Sequence, residues 1–197
     1  MTLHNLILRQ VLFLTLQVIL YFGCEIFQKN FHDVKRPWDD KIPIVAEALL
    51  VYVLWFPLIA LFPISLYQAA PALYPPYMVA WALDVLVSVA IYLIYPTSFT
   101  RPQNFQDIRN GWMLKAIYRL SYRGINCMPS LHCSLSFMVL LMALLASPMA
   151  LALRWTYGLV AGGIIISTLL TKQHVLLDAM TGILLGGACL LVAFFLL

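Results

Sequence analysis

Charge is what this sequence has least of. Asp, Glu, Lys and Arg make up 10% of its 197 residues, where a soluble globular domain carries roughly 25%. Hydrophobic residues make up 63%. That balance excludes an ordinary soluble globule and reads as a polytopic membrane protein. Cysteine is sparse as well. Cys24, Cys127, Cys133 and Cys189 show no paired spacing, so neither a disulfide framework nor a zinc site follows from them. They read as small apolar residues and say little about the redox compartment. No small-residue cleavage site follows the first apolar run near Leu6, and apolar runs continue to the last residue. That run therefore reads as a retained span rather than a signal peptide. No internal repeat and no low-complexity segment is evident.

What is present is a series of apolar runs of membrane length. A helix needs about 20 apolar residues to cross a bilayer. Six candidates lie at about 6–27, 44–68, 77–95, 128–147, 154–172 and 176–196. The expected fold is all-α: one membrane-embedded domain, residues 1–197, with six transmembrane helices. Pro57 and Pro63 predict a kink or tilt in the second span. Two polar segments, 28–43 and 96–126, interrupt the series. Within the second, Phe105, Ile108, Trp112, Ile117 and Leu120 alternate with charges, the pattern of a helix lying in the interface; a solvated loop is the alternative. Trp38, Tyr74, Tyr77 and Trp112 suit interface anchoring. Six spans put ten cations on one side: Lys29, Lys35, Arg36, Lys41, Arg101, Arg109, Lys115, Arg119, Arg123 and Lys172. Arg9 and Arg154 fall on the other.

Two polar clusters stand at the ends of apolar spans on the basic side. The first is Pro129-Ser130-Leu131-His132. Proline is well tolerated in the first turn of a helix. A span starting here would present the N–H groups of residues 130 to 132 at its N-terminus, an end that favours phosphate. His132 would stand beside it. A capped helix start with a structural histidine is the plainer reading. In the second cluster His174 and Asp178 are four residues apart and share a helical face. Asp178 would accept a hydrogen bond from one imidazole nitrogen and leave the other free as a nucleophile. An ionisable pair at a membrane helix end is a functional hypothesis by default; a polar pair buried between helices is the alternative. Glu25, Glu47 and Asp84 read as paired or protonated interior groups. Gly182 and Gly186 read as a close helix contact.

Together these clusters resemble the type 2 phosphatidic acid phosphatase superfamily. Its second motif, Pro-Ser-Gly-His, is matched by Pro129 to His132 with Leu131 for Gly. Its third, Ser-Arg, five residues, His, three residues, Asp, is matched by Ser167, His174 and Asp178, with Thr168 for Arg. The first, Lys, six residues, Arg-Pro, is half present as Arg101-Pro102, with Ile94 at the Lys position. The forms "MPSLH" and "TKQHVLLD" look more like the branch related to inositol phosphorylceramide synthases. "DDKIP" before the second span is similar to bacterial members of that branch.

The resemblance implies a phosphohistidine mechanism. His174 would attack phosphorus, Asp178 orient it, and His132 protonate the departing oxygen. Arg101 and the amides around Ser130 would hold the non-bridging oxygens, with Lys172 or Arg123 in place of a missing cation. No metal and no cofactor is expected. The expected partners are a lipid phosphate substrate and membrane lipids, with no nucleic acid.

The expected function is an integral-membrane lipid phosphatase, acting on a phosphomonoester or diphosphate lipid. The alternative is a lipid phosphotransferase that passes a phospho-head-group to a second lipid or alcohol. A transporter or non-catalytic scaffold, using His and Asp as a proton relay, is the reading from a different class. The expected location is a bacterial cytoplasmic membrane. The charge split would put the site inside by the positive-inside rule, whereas the resemblance implies the outer face and is followed here.

Overall fold

Apolar runs separated by proline, glycine and charge become helices in the computed structural model, which describes residues 2–121 and 123–197. Among the described residues there are seven: α1 Leu3–Cys24, α2 Ala46–Ala69, α3 Tyr74–Ile94, α4 Gly111–Leu120, α5 Leu131–Leu145, α6 Leu151–Leu170 and α7 Leu176–Leu196. The fold is all-α. Five helices, α1, α2, α3, α6 and α7, are long and apolar enough to cross a membrane, as in an integral membrane protein.

The run at 128–147, expected as a full span, forms only the 15-residue α5. At about 1.5 Å per residue that is about 22 Å, short of the roughly 30 Å hydrocarbon core. Both limits are local. Ser130 is an N-cap in extended conformation, its Oγ accepting from the Cys133 amide at 3.3 Å. At the other end Pro148 disfavours helical backbone at Ser147, and α5 stops with Ala146 as its C-cap. The 105–120 stretch is likewise helical only from Gly111. Asn110 takes a left-handed conformation, φ 55°, and a Cβ on Gly111 would lie 2.5 Å from the Phe105 carbonyl oxygen.

Proline breaks α2 as expected, at a defined place. Pro57 has no N–H to offer the Val53 carbonyl, which accepts instead from Phe56 at 3.3 Å. The helix is interrupted at Val53–Leu54 and resumes as Trp55–Ala69. Tyr52 and Trp55 flank the interruption, and both face α5.

α5 sits at the centre, packed most extensively on α6 and α7. Its contact with α7 is backbone against backbone. A Cβ on Gly186 would come within 2.7 Å of the Ser134 carbonyl oxygen, and one on Gly182 closer still to that of Ser130. This is the close approach that small residues allow. Tyr74 and Tyr77 are not interface anchors: with Trp81 they occupy the inward face of α3, and Tyr77 packs edge-on against Phe62 and Trp81. Trp38 and Trp112 are exposed. α1 turns Gln10 and Gln17 inward, where Gln10 donates to the Ile59 carbonyl and Gln17 accepts from the Trp81 indole.

The long polar segments meet at one end of the bundle. His32–Asp33 pairs in parallel with Thr97–Ser98, and Ser98 bridges to Ile125. Lys172, in the turn between α6 and α7, reaches residues 39 and 42. The three connections expected on one side therefore do share one end.

Candidate active site

The stop at Ser130 and the glycine contact at Gly182 together set the site. They bring the first turn of α5 against the first turn of α7. The Ser130 amide donates to the Asp178 carbonyl at 3.1 Å. His132 and His174 then face each other, ring centroids 5.8 Å apart. His174 Nδ1 lies 3.3 Å from Asp178 Oδ2, an oxygen that also accepts from the Val175 amide at 3.1 Å. This arrangement makes Nδ1 the protonated nitrogen, since a carboxylate accepts only. It leaves Nε2 of His174 as the free lone pair.

His132 is held by stacking. Tyr52 lies at 4.7 Å and Trp55 at 4.2 Å between ring centroids, so the broken turn of α2 grips the imidazole. Neither aromatic residue was singled out in the sequence. The signal was there as a Tyr and a Trp three apart beside a proline, but nothing local aims them at α5.

Several buried polar atoms at this end of the bundle have no partner. His132 Nε2, Asp178 Oδ1, Arg101 Nε and Gln173 Nε2 are all buried and lack a hydrogen-bond partner among the described residues. Arg101 Nη1 donates to the Ser121 carbonyl at 2.8 Å and to Ser121 Oγ at 2.9 Å, and the one proton of that hydroxyl is shared between the Ile117 carbonyl at 3.2 Å and Gln173 Oε1 at 3.3 Å. Buried donors without acceptors are rare in folded proteins. Arg101 Nε and Gln173 Nε2 are such donors and could meet an anion, whereas Asp178 Oδ1 is an acceptor. Gln173 was not among the sequence candidates. Its proximity to His174 was visible, its orphaned amide was not.

The other candidates are placed differently. Ser130 has both its amide and its Oγ engaged, with Asp178 and Cys133. Of the N–H groups at 130–132, only those of Leu131 and His132 lack a partner among the described residues. Lys172 adopts φ 50°. Its ammonium donates to the Asp39 and Ile42 carbonyls, each at 2.7 Å. Burial lowers its pKa, against the pull of Asp39 and Asp40. Asp39 completes this lock, accepting from the Leu176 amide at 2.8 Å and the Arg36 amide at 2.8 Å. Arg123 pairs with Glu25 at 3.3 Å; burial raises the Glu25 pKa and Arg123 opposes it. The two positions where a further cation was sought hold none. Ile94 points outward, and the Thr168 hydroxyl donates to the Ile165 carbonyl at 2.7 Å.

Arg101 also lines a cavity of about 490 Å³ within the 99–124 segment, together with Lys115, Arg119 and Arg123. Its guanidinium lies 5.0 Å from the Tyr118 ring centroid. Tyr118, its phenol pushed up to about 12 by burial, donates to the Thr171 carbonyl at 2.9 Å. Gly124, at φ 56°, passes so close that a Cβ would lie 3.4 Å from Arg101 Cζ. Among the described residues no group of three His, Cys, Asp or Glu side chains is placed to hold a metal ion. No protein-family model, no curated protein and no solved structure matches this chain.

Proposed function

We propose that the chain is an integral-membrane phosphoryl-transfer enzyme acting on lipid phosphates, of the type 2 phosphatidic acid phosphatase kind. The observation that carries this reading is the His132–His174 pair, with His174 oriented by Asp178 and buried donors lacking acceptors beside it. In the first step His174 Nε2 attacks phosphorus. The N–P bond forms as the bond from phosphorus to the lipid oxygen breaks, and protonated His132 gives its proton to that oxygen. Asp178 holds the imidazolium that results. In the second step neutral His132 takes a proton from water, the hydroxyl oxygen bonds to phosphorus, and the N–P bond breaks to release phosphate. Arg101, Gln173 and the free amides of Leu131 and His132 neutralise the non-bridging oxygens. Phosphoryl transfer depends mainly on such positioning and charge neutralisation. Transfer to a lipid alcohol instead of water shares the first step.

In this reading α5 is a sixth crossing. Buried residues Asn126 and Cys127 and the 146–150 turn extend its 15 helical residues toward the full thickness. α4 lies in the interface with Trp112 and Leu120 toward lipid and Lys115 and Arg119 toward head groups. Phosphate release from lipid phosphates by the purified protein in detergent tests the function. His174→Ala should abolish it while leaving the protein folded. Phosphate release by His174→Ala at the wild-type rate would reject it. Separation of lipid products with and without an added lipid alcohol distinguishes hydrolysis from transfer.

A further inference from the structure

The two facing histidines are held in different ways. His174 is held in the plane of its ring, through Nδ1 and the Asp178 carboxylate at 3.3 Å. Neither ring nitrogen of His132 has a hydrogen-bond partner among the described residues, and its Nε2 is buried. Two aromatic faces touch this imidazole instead. Tyr52 lies against it with planes 21° apart and Trp55 with planes 33° apart. Both are buried. Other aromatic rings inside the bundle meet edge-on, Phe62 with Tyr77 at 74° and with Tyr157 at 80°. His32 also stacks face-on, with Tyr95, but that pair is exposed and brings a single ring to the histidine.

The difference matches what each imidazole must do. A nucleophile needs one nitrogen bare, and a carboxylate on the other nitrogen secures that tautomer. A proton donor must carry a proton in the first step and be without it in the second. A carboxylate on one of its nitrogens would favour the protonated state over the other. Stacking acts on the ring faces and leaves both in-plane nitrogens free. It fixes the plane of the ring and therefore the direction of its N–H bonds. An aromatic face also attracts a cation laid over it, which suits the imidazolium without tying either nitrogen. We infer that Tyr52 and Trp55 are positioning residues for the proton donor, and that their rings aim the His132 imidazole at the departing lipid oxygen. The inference rests on the phosphoryl-transfer reading of the same site and adds the means by which its acid is held.

The test uses the purified full chain in detergent and two substrates of similar chain length. One is an alkyl phosphate, whose departing oxygen needs a proton. The other is the phosphate ester of a long-chain alkyl nitrophenol, whose nitrophenolate leaves without one. Rates are taken per folded molecule. Tyr52→Leu and Trp55→Leu should each lower kcat on the alkyl phosphate by about 10²-fold, the scale of a lost general acid, with KM little changed. First-turnover release of nitrophenolate should fall by less than about tenfold, because that step needs no acid. Tyr52→Phe and Trp55→Phe keep a ring and should stay within about threefold of the wild type on both substrates. Equal losses on the two substrates, or no loss on either, would overturn the inference and leave the phosphoryl-transfer reading standing. Phe variants as poor as the Leu variants would assign the effect to the phenol hydroxyl or the indole N–H and overturn it too. A second measurement needs no turnover. In protein carrying ¹³C-labelled histidine, the His132 ring-proton signals should lie upfield, under the ring currents of Tyr52 and Trp55. They should move downfield in the Leu variants and hold in the Phe variants; signals that stay put in the Leu variants would overturn the inference. Phosphate release from neither substrate by the wild type would reject the phosphoryl-transfer reading, while the ring signals still judge the aromatic hold on His132.

Discussion

Two cavities of similar size lie toward opposite ends of this molecule. The one within the 99–124 segment, about 490 Å³, is walled by four cations and aromatic rings. The other, about 570 Å³, runs between α5 and α6 and is walled by leucines, glycines and Trp155, with Arg154 as its one cation. The difference is in what the charges do as much as in their number. Arg154 donates to the Ala143 and Leu144 carbonyls, closing the last turn of α5. At the loop end Lys172 does similar work on residues 39 and 42, yet Arg101 keeps a buried Nε without an acceptor and Lys115 and Arg119 stand without partners among the described residues. A cation closing a helix end is satisfied by the chain. A buried guanidinium N–H left without an acceptor, as at Arg101, is open to a group from outside the chain.

Removing the histidine pair breaks this comparison most severely. His174→Ala, His132→Ala and Asp178→Ala should each lower phosphate release by about 10³-fold or more, because groups that act as a unit are not additive. The double variant His132→Ala/His174→Ala should be little worse than either single one. Phosphate release in detergent, set beside a thermal unfolding curve, separates lost chemistry from lost fold. If the two histidines are structural core residues, the unfolding curve will move and the rate per folded molecule will not.

Next in size is the helix contact that holds the pair in register. Gly182 has no room for a Cβ against the Ser130 carbonyl, whereas a Cβ on Gly158, in the apolar cavity, would meet nothing within 4 Å. Gly182→Ala must push the first turn of α7 from that of α5. A displacement of about 1 Å at a reacting centre costs on the order of 10²-fold in rate. Gly158→Ala should leave the rate unchanged. Equal effects from the two substitutions would show that the α5–α7 contact does not set the site.

Much of this arrangement was legible before any coordinates. The boundaries of the five long helices follow from apolar runs ended by charge or proline, and α5 starts within the Pro129–His132 cluster where a helix start was expected, with Pro129 before the N-cap rather than in the first turn. His174 and Asp178 meet, though not across a helical turn as expected: His174 lies in the turn before α7, and Asp178, in the helix's first turn, reaches back to its imidazole and to the Val175 amide. What was hidden is tertiary. Tyr52 and Trp55 reach His132 only because Pro57 interrupts α2 beside them. Lys172 looked like a phosphate ligand from its place two residues before His174, but its left-handed backbone directs the side chain to the 39–42 segment. Tyr77 looked like an interface anchor until the phase of α3 turned it inward. Helical spacing fixes which residues share a face, and only packing fixes where that face points.

Lys172 gives the third effect. Lys172→Met leaves the Asp39 and Ile42 carbonyls without their donor, and unsatisfied buried groups cost about 1–3 kcal/mol each. The 37–42 segment, which also holds the Leu176 amide through Asp39, should loosen. The expected outcome is a lower unfolding midpoint with a smaller loss of phosphate release than Arg101→Met causes. Should Lys172→Met match Arg101→Met in rate while the unfolding midpoint stays put, Lys172 belongs with the phosphate-binding groups after all.

Arg154 is the counterpart at the other end and should show the smallest effect. Its guanidinium closes helix carbonyls that lie near the polar surface, so water replaces it at little cost. Arg154→Gln should destabilise the fold by about 1 kcal/mol or less, the scale of a single exposed helix-end interaction. Phosphate release should be that of the wild type. A loss of phosphate release with the unfolding midpoint unchanged would mean that the apolar cavity takes part in holding the lipid. The contrast between the two ends would then describe two halves of one long binding surface. Measured beside Arg101→Met, Arg154→Gln therefore shows whether recognition is confined to the loop end or extends through the bundle.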